Sequence, residues 1–195
     1  MKLIDISQEL FSCRVYPGDP APEAQDLLRL ERGDVCNLSS LSMCAHNGTH
    51  IDAPFHFISE GKTVDALGLE PFVGDCFVTR REGDLTAADA EMILRAAQAQ
   101  NAVRRILIAG KATVTAEAAR VFAQAEILLI GNESQTVGPE NAPAEVHRIL
   151  LGSGVVLLEG LVLGGVTEGR YYLSAAPLNL GGFDGSPCRA YLIEQ

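Results

Sequence analysis

The stretch that decides the fold runs from Ile106 to Leu158 and carries three short apolar runs: Ile106-Leu107-Ile108-Ala109, Ile127-Leu128-Leu129-Ile130 and Val155-Val156-Leu157-Leu158. Each is too short for an apolar helix and has no polar alternation, which is the pattern of strands buried on both faces. Between them lie two helical stretches. Ala116 to Gln124 follows the cap residue Thr115, and Pro143 to Leu151 opens on proline and ends at Gly152. Strands alternating with helices predict an α/β domain with a mixed or mainly parallel sheet.

Working outward, Phe72 to Thr79 reads as a strand, and Thr86 caps a helix over Ala87 to Gln100 with Met92, Ile93 and Ala96 on one side. Leu3 to Ile6 reads as a first strand, followed by the turn Tyr16-Pro17-Gly18-Asp19-Pro20 and a mixed segment up to Ser42. At the other end, Arg170 to Ser174 and Arg189 to Ile193 read as strands around the loop Gly181-Gly182-Phe183-Asp184-Gly185. No internal repeat, low-complexity tract or linker interrupts the chain, and 195 residues fit one domain spanning 1–195.

The charge balance narrows the partners. With 25 acidic against 15 basic residues the formal net charge is −10, which opposes a nucleic-acid backbone. No apolar run is long enough for a membrane span, and the amino terminus lacks a signal-peptide core, so the expected location is the cytoplasm. Five cysteines make an odd count with no Cys-x-x-Cys pair, arguing against both a disulfide framework and a thiolate zinc site.

Chemistry is concentrated in Cys44-Ala45-His46-Asn47-Gly48-Thr49-His50-Ile51-Asp52-Ala53-Pro54-Phe55-His56, which holds three of the four histidines. Imidazoles and a carboxylate are the donors of a metal site that keeps water as a further ligand. On a straight strand, residues four apart are separated by about 13 Å, too far to share an ion. Gly48 and Pro54 also disfavour a regular helix. The segment is therefore expected to curl, gathering His46, His50 and Asp52 on one divalent ion, with His56 further along as the proton-transfer group. His147 lies in a predicted helix, and Glu159 follows a buried strand where its desolvation needs a compensating cation or donors. If both converge on the cluster, Asp52 bridges two ions.

His46-Asn47-Gly48-Thr49-His50-Ile51-Asp52-Ala53-Pro54-Phe55-His56-Phe57 resembles the His-x-Gly-Thr-His-x-Asp-x-Pro-x-His-Phe signature of the cyclase family, to which bacterial kynurenine formamidases and isatin hydrolases belong. Asp5-Ile6-Ser7 with Tyr16-Pro17-Gly18-Asp19 resembles the family's opening, and Pro177-Leu178 with Asp184-Gly185-Ser186-Pro187-Cys188-Arg189-Ala190 its closing motif. The resemblance implies a swivelling β/β/α architecture, a homodimer or higher homo-oligomer, and zinc or manganese as one or two ions per subunit. It implies His46, His50 and Asp52 as ligands of one ion, Asp52, His147 and Glu159 of a second, and His56 as general acid/base. Glu159 is similar to the formamidase pattern, whereas the isatin hydrolase pattern has glutamine there. Tyr16 stands where formamidases commonly place tryptophan against an aromatic substrate, and this chain has no tryptophan. Tyr16 and Gln135 are the candidate substrate-binding residues.

The function that follows is hydrolysis of a carbon–nitrogen bond in a small formamide, amide or cyclic amide by a metal-activated hydroxide, as in an arylformamidase. A lactonase, or a cyclic-imide or isatin-type hydrolase, is the alternative within enzymes. A non-catalytic metal-binding protein is the alternative outside them; a purely structural site would close its shell with four protein ligands.

Overall fold

Residues 1–194 are described by a computed structural model; Gln195, the last residue of the expected domain, lies outside the described residues. In chain order the strands are β1 (Lys2–Asp5), β2 (Glu23–Leu28), β3 (Leu38–Ser42), β4 (His50–Asp52), β5 (Val73–Arg80), β6 (Gly83–Leu85), β7 (Arg105–Ala109), β8 (Ala112–Val114), β9 (Leu129–Asn132), β10 (Val156–Glu159), β11 (Gly169–Ser174), β12 (Gly185–Pro187) and β13 (Tyr191–Glu194). The helices are α1 (Ala87–Ala99), α2 (Ala116–Gln124) and α3 (Ala144–Gly152).

Nine strands form one mixed sheet in the order β1-β13-β11-β5-β7-β9-β10-β4-β12. Its centre, β5-β7-β9-β10, is parallel, and both flanks are antiparallel. Each parallel step is made by one helix, and all three steps advance across the sheet in the same direction. Crossovers of one hand then leave the helices on the same face. Accordingly Ile93 of α1, Phe122 of α2 and Leu150 of α3 share a buried cluster with Ile106, Ile108, Ile130 and Leu157.

The opposite face of these strands carries Leu107, Leu129, Val156 and Leu158, and it is covered by the sheet itself rather than by helices. The antiparallel flank curls over it, supplying Tyr171, Leu173 and Leu192. The two sides meet at the end of β1. Ile6 N–H donates to Ala190 O (3.1 Å), Val162 N–H donates to Ile6 O (2.9 Å), and Ser7 bridges Leu161. The central runs are thus buried on both faces as their composition predicts, in an α/β fold with β/β/α layering.

Several boundaries move. The run at Ile127 begins as connection, because Glu126 adopts φ 52 after α2 and the strand starts only at Leu129. In α1 the buried stripe is Ala90, Ile93 and Ala97, while Met92 is exposed. Thr86 and Asp89 form a reciprocal capping box at its start. The mixed segment before Ser42 contains the hairpin β2–β3, whose residues are almost all exposed.

Phe122 sits on the middle helix, fully buried among residues of all three helices and the sheet. Phe122→Ala is predicted to cost about 3–5 kcal/mol in urea unfolding followed by circular dichroism. A loss under about 1 kcal/mol would contradict this packing.

Candidate metal centre

Strand β4 is only three residues long, but its place in the sheet builds the site. It lies between β10 and β12, with Asp52 opposite Leu157 and Gly185, and His50 opposite Glu159 and Pro187. Side chains alternate along a strand, so His50 and Asp52 share one face while Ile51 enters the core on the other. The expected curl is confined to the turn before this strand. Gly48 adopts φ 65 there, and the Asn47 side chain accepts from Cys44 N–H at 2.8 Å. That turn folds His46 back over Asp52. A short 3-10 turn at Pro54–His56 then stacks the His56 ring on that of His46, with centroids 4.1 Å apart.

All six candidate ligand and proton-transfer residues converge. His46 Nδ1 lies 2.8 Å from Asp52 Oδ1, and His50 Nε2 lies 3.4 Å from Asp52 Oδ1 and 3.5 Å from Glu159 Oε2. His147 Nε2 lies 3.4 Å from Asp52 Oδ2 and 3.3 Å from Glu159 Oε1. Donor atoms of His50, Asp52 and Glu159 lie within 4.8 Å of one another, as do those of His46, Asp52 and His56. His56 thus lies beside His46 and Asp52, and Glu159 neighbours His50 as well as His147.

The outward nitrogens are tied down. His50 Nδ1–H donates to Gly48 O (3.0 Å), His147 Nδ1–H to Pro143 O (2.9 Å), and His46 Nε2–H to Asp184 Oδ2 (2.8 Å). In the neutral tautomers these bonds define, each inward nitrogen is a lone pair facing carboxylate oxygens. Acceptor facing acceptor is repulsive, so the buried cluster needs positive charge at its centre. Asp52 Oδ2, buried and without a hydrogen-bond partner among the described residues, marks where it is lacking. Imidazole and carboxylate donors with this orphaned oxygen fit a divalent cation.

Without a cation, protons do the same work. Burial acts to lower the pKa of His46, His50 and His147, but the neighbouring carboxylates overcome it and raise each to about 10. Asp52 is fully buried, which disfavours its charge, yet His147, His46 and His50 hold it well below the usual carboxylate range. His56 moves the other way, because burial dominates and lowers its pKa.

The cluster opens into a cavity of about 400 Å³ lined also by Tyr16, Asp19, Cys44, Phe57, Gln135, Thr136 and Pro143. The Tyr16 hydroxyl donates to Glu140 O (2.7 Å), holding its ring at the wall. Gln135 lines the cavity, but its amide faces inward: Oε1 accepts from Gln8 Nε2 at 2.9 Å, and Nε2 donates to Gly48 O at 3.5 Å. Sequence reasoning gave no role to Asp184, whose Oδ2 also accepts from His56 Nδ1–H at 3.1 Å. Its place in the closing motif was the only available signal. Gln8 was missed as well; its N–H donates to Thr49 Oγ1 (2.9 Å) and its amide to Gly160 O (2.8 Å), pinning the turn beside Glu159.

The sequence pattern of the family described as "Putative cyclase" matches residues 4–139. A kynurenine formamidase of Salinibacter ruber (strain DSM 13855 / M31) is 34% identical over 206 residues, covering 98% of this chain and 97% of its own length. One from Erythrobacter litoralis (strain HTCC2594) is 31% identical, covering 99% and 94%. A solved structure described as a potential metal-dependent hydrolase with cyclase activity superposes with a TM-score of 0.83 at 27% identity, covering 100% of this chain and 99% of its own. The chain belongs to the cyclase family. It is a metal-dependent hydrolase of that family, and its cofactor is a divalent metal.

Because the three histidine pKa values rise from 6.5 to about 10 in the metal-free fold, their stabilising contribution is full below about pH 6.5 and is lost as pH climbs through about 10. The melting temperature of the metal-free protein is predicted to fall between pH 7 and 10. Metal titration near pH 7.5 is predicted to release protons, read from the buffer dependence of the calorimetric heat. Buffer-independent heats would contradict the protonated cluster.

Proposed function

We propose that the protein hydrolyses the carbon–nitrogen bond of a small formamide, with an arylformamide as the substrate class, and that the chain 1–195 acts as one domain. The carrying observation is the buried cluster of inward-facing imidazole nitrogens and carboxylates opening directly into a cavity walled by Phe57, Tyr16 and Pro143. A cavity of this size, with Phe57, Tyr16 and Pro143 beside the polar cluster, suits a small ligand with an aromatic part. The formamidase names of relatives at 31–34% identity support the choice of formamide over lactone or cyclic imide.

His46, His50, Asp52, His147 and Glu159 would hold the metal, and their nitrogen and oxygen donors suit zinc or manganese. The donors gathered around Asp52 would hold one or two such ions. Such ions supply Lewis acidity, acidifying water and polarising a carbonyl. The protein residues do the rest. His56, neutral at physiological pH because burial lowers its pKa, accepts the proton of the attacking water at Nε2 and returns it to the leaving nitrogen. Phe57, which packs against His147 with ring centroids 4.6 Å apart, and Tyr16 flank the aromatic part of the substrate. The exposed hairpin β2–β3 supports assembly as a homo-oligomer, because an isolated two-stranded ribbon is marginal alone. The cytoplasm is the proposed location.

Metal analysis and a hydrolysis assay with an N-formylated aniline test this together. The metal-loaded protein is predicted to release formate and the aromatic amine, and chelation to abolish turnover. His56→Asn is predicted to lower kcat by about 100- to 10,000-fold with metal content retained. Stoichiometric metal without turnover of any formamide, amide, lactam or ester would favour a non-catalytic role instead.

A further inference from the structure

We infer that Asp184 is a positioning residue that fixes one metal-site imidazole and the proton-transfer imidazole with a single carboxylate oxygen. This rests on the hydrolase reading above and deepens it. Asp184 Oδ2 accepts from His46 Nε2–H at 2.8 Å and from His56 Nδ1–H at 3.1 Å. A carboxylate can only accept, so this one oxygen holds a proton at His46 Nε2 and at His56 Nδ1. It leaves His46 Nδ1 facing Asp52, and it leaves His56 with its lone pair at Nε2, the atom that must carry the proton. The same oxygen fixes the relative placement of the two rings, which stack with an interplanar angle of 29°.

The backbone that carries Asp184 is itself held in place. Ala53 N–H donates to Asp184 O (2.9 Å), Val64 N–H donates to Phe183 O (2.9 Å), and Gly185 opens β12 directly opposite Asp52. Gly185 also lets the His46 ring lie against the strand, because a Cβ there would stand 2.5 Å from His46 Cε1. Asp184 therefore reaches the site from a segment anchored to the very strand that carries His50 and Asp52. Its reach to both rings is a consequence of strand pairing rather than of a flexible loop. No other carboxylate is hydrogen-bonded to His56 among the described residues. Replacing Asp184 by asparagine keeps the shape but offers an amide that can either donate or accept, so the tautomer of His56 is no longer imposed.

Two readouts on the full chain test the inference, one of them independent of turnover. Long-range nitrogen–proton NMR of the histidine rings is expected to show His56 as the Nδ1–H tautomer in the wild type and as a mixture in Asp184→Asn. A wild-type His56 protonated at Nε2 overturns the proposal. In the formanilide assay at saturating metal, Asp184→Asn is expected to lower kcat about 10- to 100-fold with KM changed less than about threefold. In a His56→Asn background the same substitution is expected to cost less than about twofold, because its route through His56 is gone and saturating metal offsets a weakened His46. Equal losses in both backgrounds, or failure to bind metal at saturation, overturn the positioning role. Asp184→Ser serves in the same cycle should the asparagine variant fail to fold. A wild type with the Nδ1–H tautomer but no turnover sinks the hydrolase reading while leaving the tautomer assignment standing.

Discussion

Everything in this protein is arranged around a repulsion that only positive charge can relieve. Three imidazoles turn their inward nitrogens toward two buried carboxylates, and their outward nitrogens are already committed to Gly48 O, Pro143 O and Asp184. Turning any ring over would give up the hydrogen bond that its outward nitrogen makes, each worth about 0.5–1.5 kcal/mol. The choice left to the fold is between protons and a divalent cation. That choice explains why the acid–base properties of the cluster and its capacity for metal are two views of one constraint.

The sheet makes the arrangement rigid. Parallel strands β9 and β10 end at the site, where open α/β sheets place ligands. Glu159 closes β10, and the loop after β9 carries Gln135 and Thr136. Glu159 is held by Val137 N–H at 2.8 Å, so its carboxylate has a fixed orientation. Around the back, Gln8, Thr49, Gln135 and Gly160 form a closed set of hydrogen bonds that ties the first loop to the histidine turn. Gly160 admits no side chain there, because a Cβ would meet Gln135 Oε1 at 2.5 Å and Gln8 Nε2 at 2.6 Å. The amide of Gln135 thus supports the metal turn even though the residue also lines the cavity.

What could be read in advance follows from how local each signal is. Helix α2 was legible to the residue, because Thr115 caps an alanine-rich run and nothing tertiary competes. Strand β9 began two residues late because Glu126 takes a left-handed turn that composition does not announce. The hairpin β2–β3 escaped because Glu23, Gln25, Asp26, Ser39, Ser40 and Ser42 give no apolar alternation. At the site, His46, His50, Asp52 and His56 were visible through residue type and spacing. The spacing of four between His46 and His50 does not reveal the simpler fact that His50 and Asp52, two apart on a strand, share a face. Asp184 was out of reach for a different reason: it meets His56 from 128 positions away, a pairing created by the β4–β12 register alone.

The position of β4 between β10 and β12 carries a consequence for how the molecule is assembled. The histidine turn is made early in synthesis, yet both strands that flank its continuation come from the last part of the chain. Contacts this remote in sequence form slowly, after the entropy of closing long loops has been met. The donors therefore stay dispersed until the carboxyl-terminal strands arrive. A nascent or truncated chain holds its histidines without the cage that gives them selectivity, and competence for metal becomes a report on completed folding.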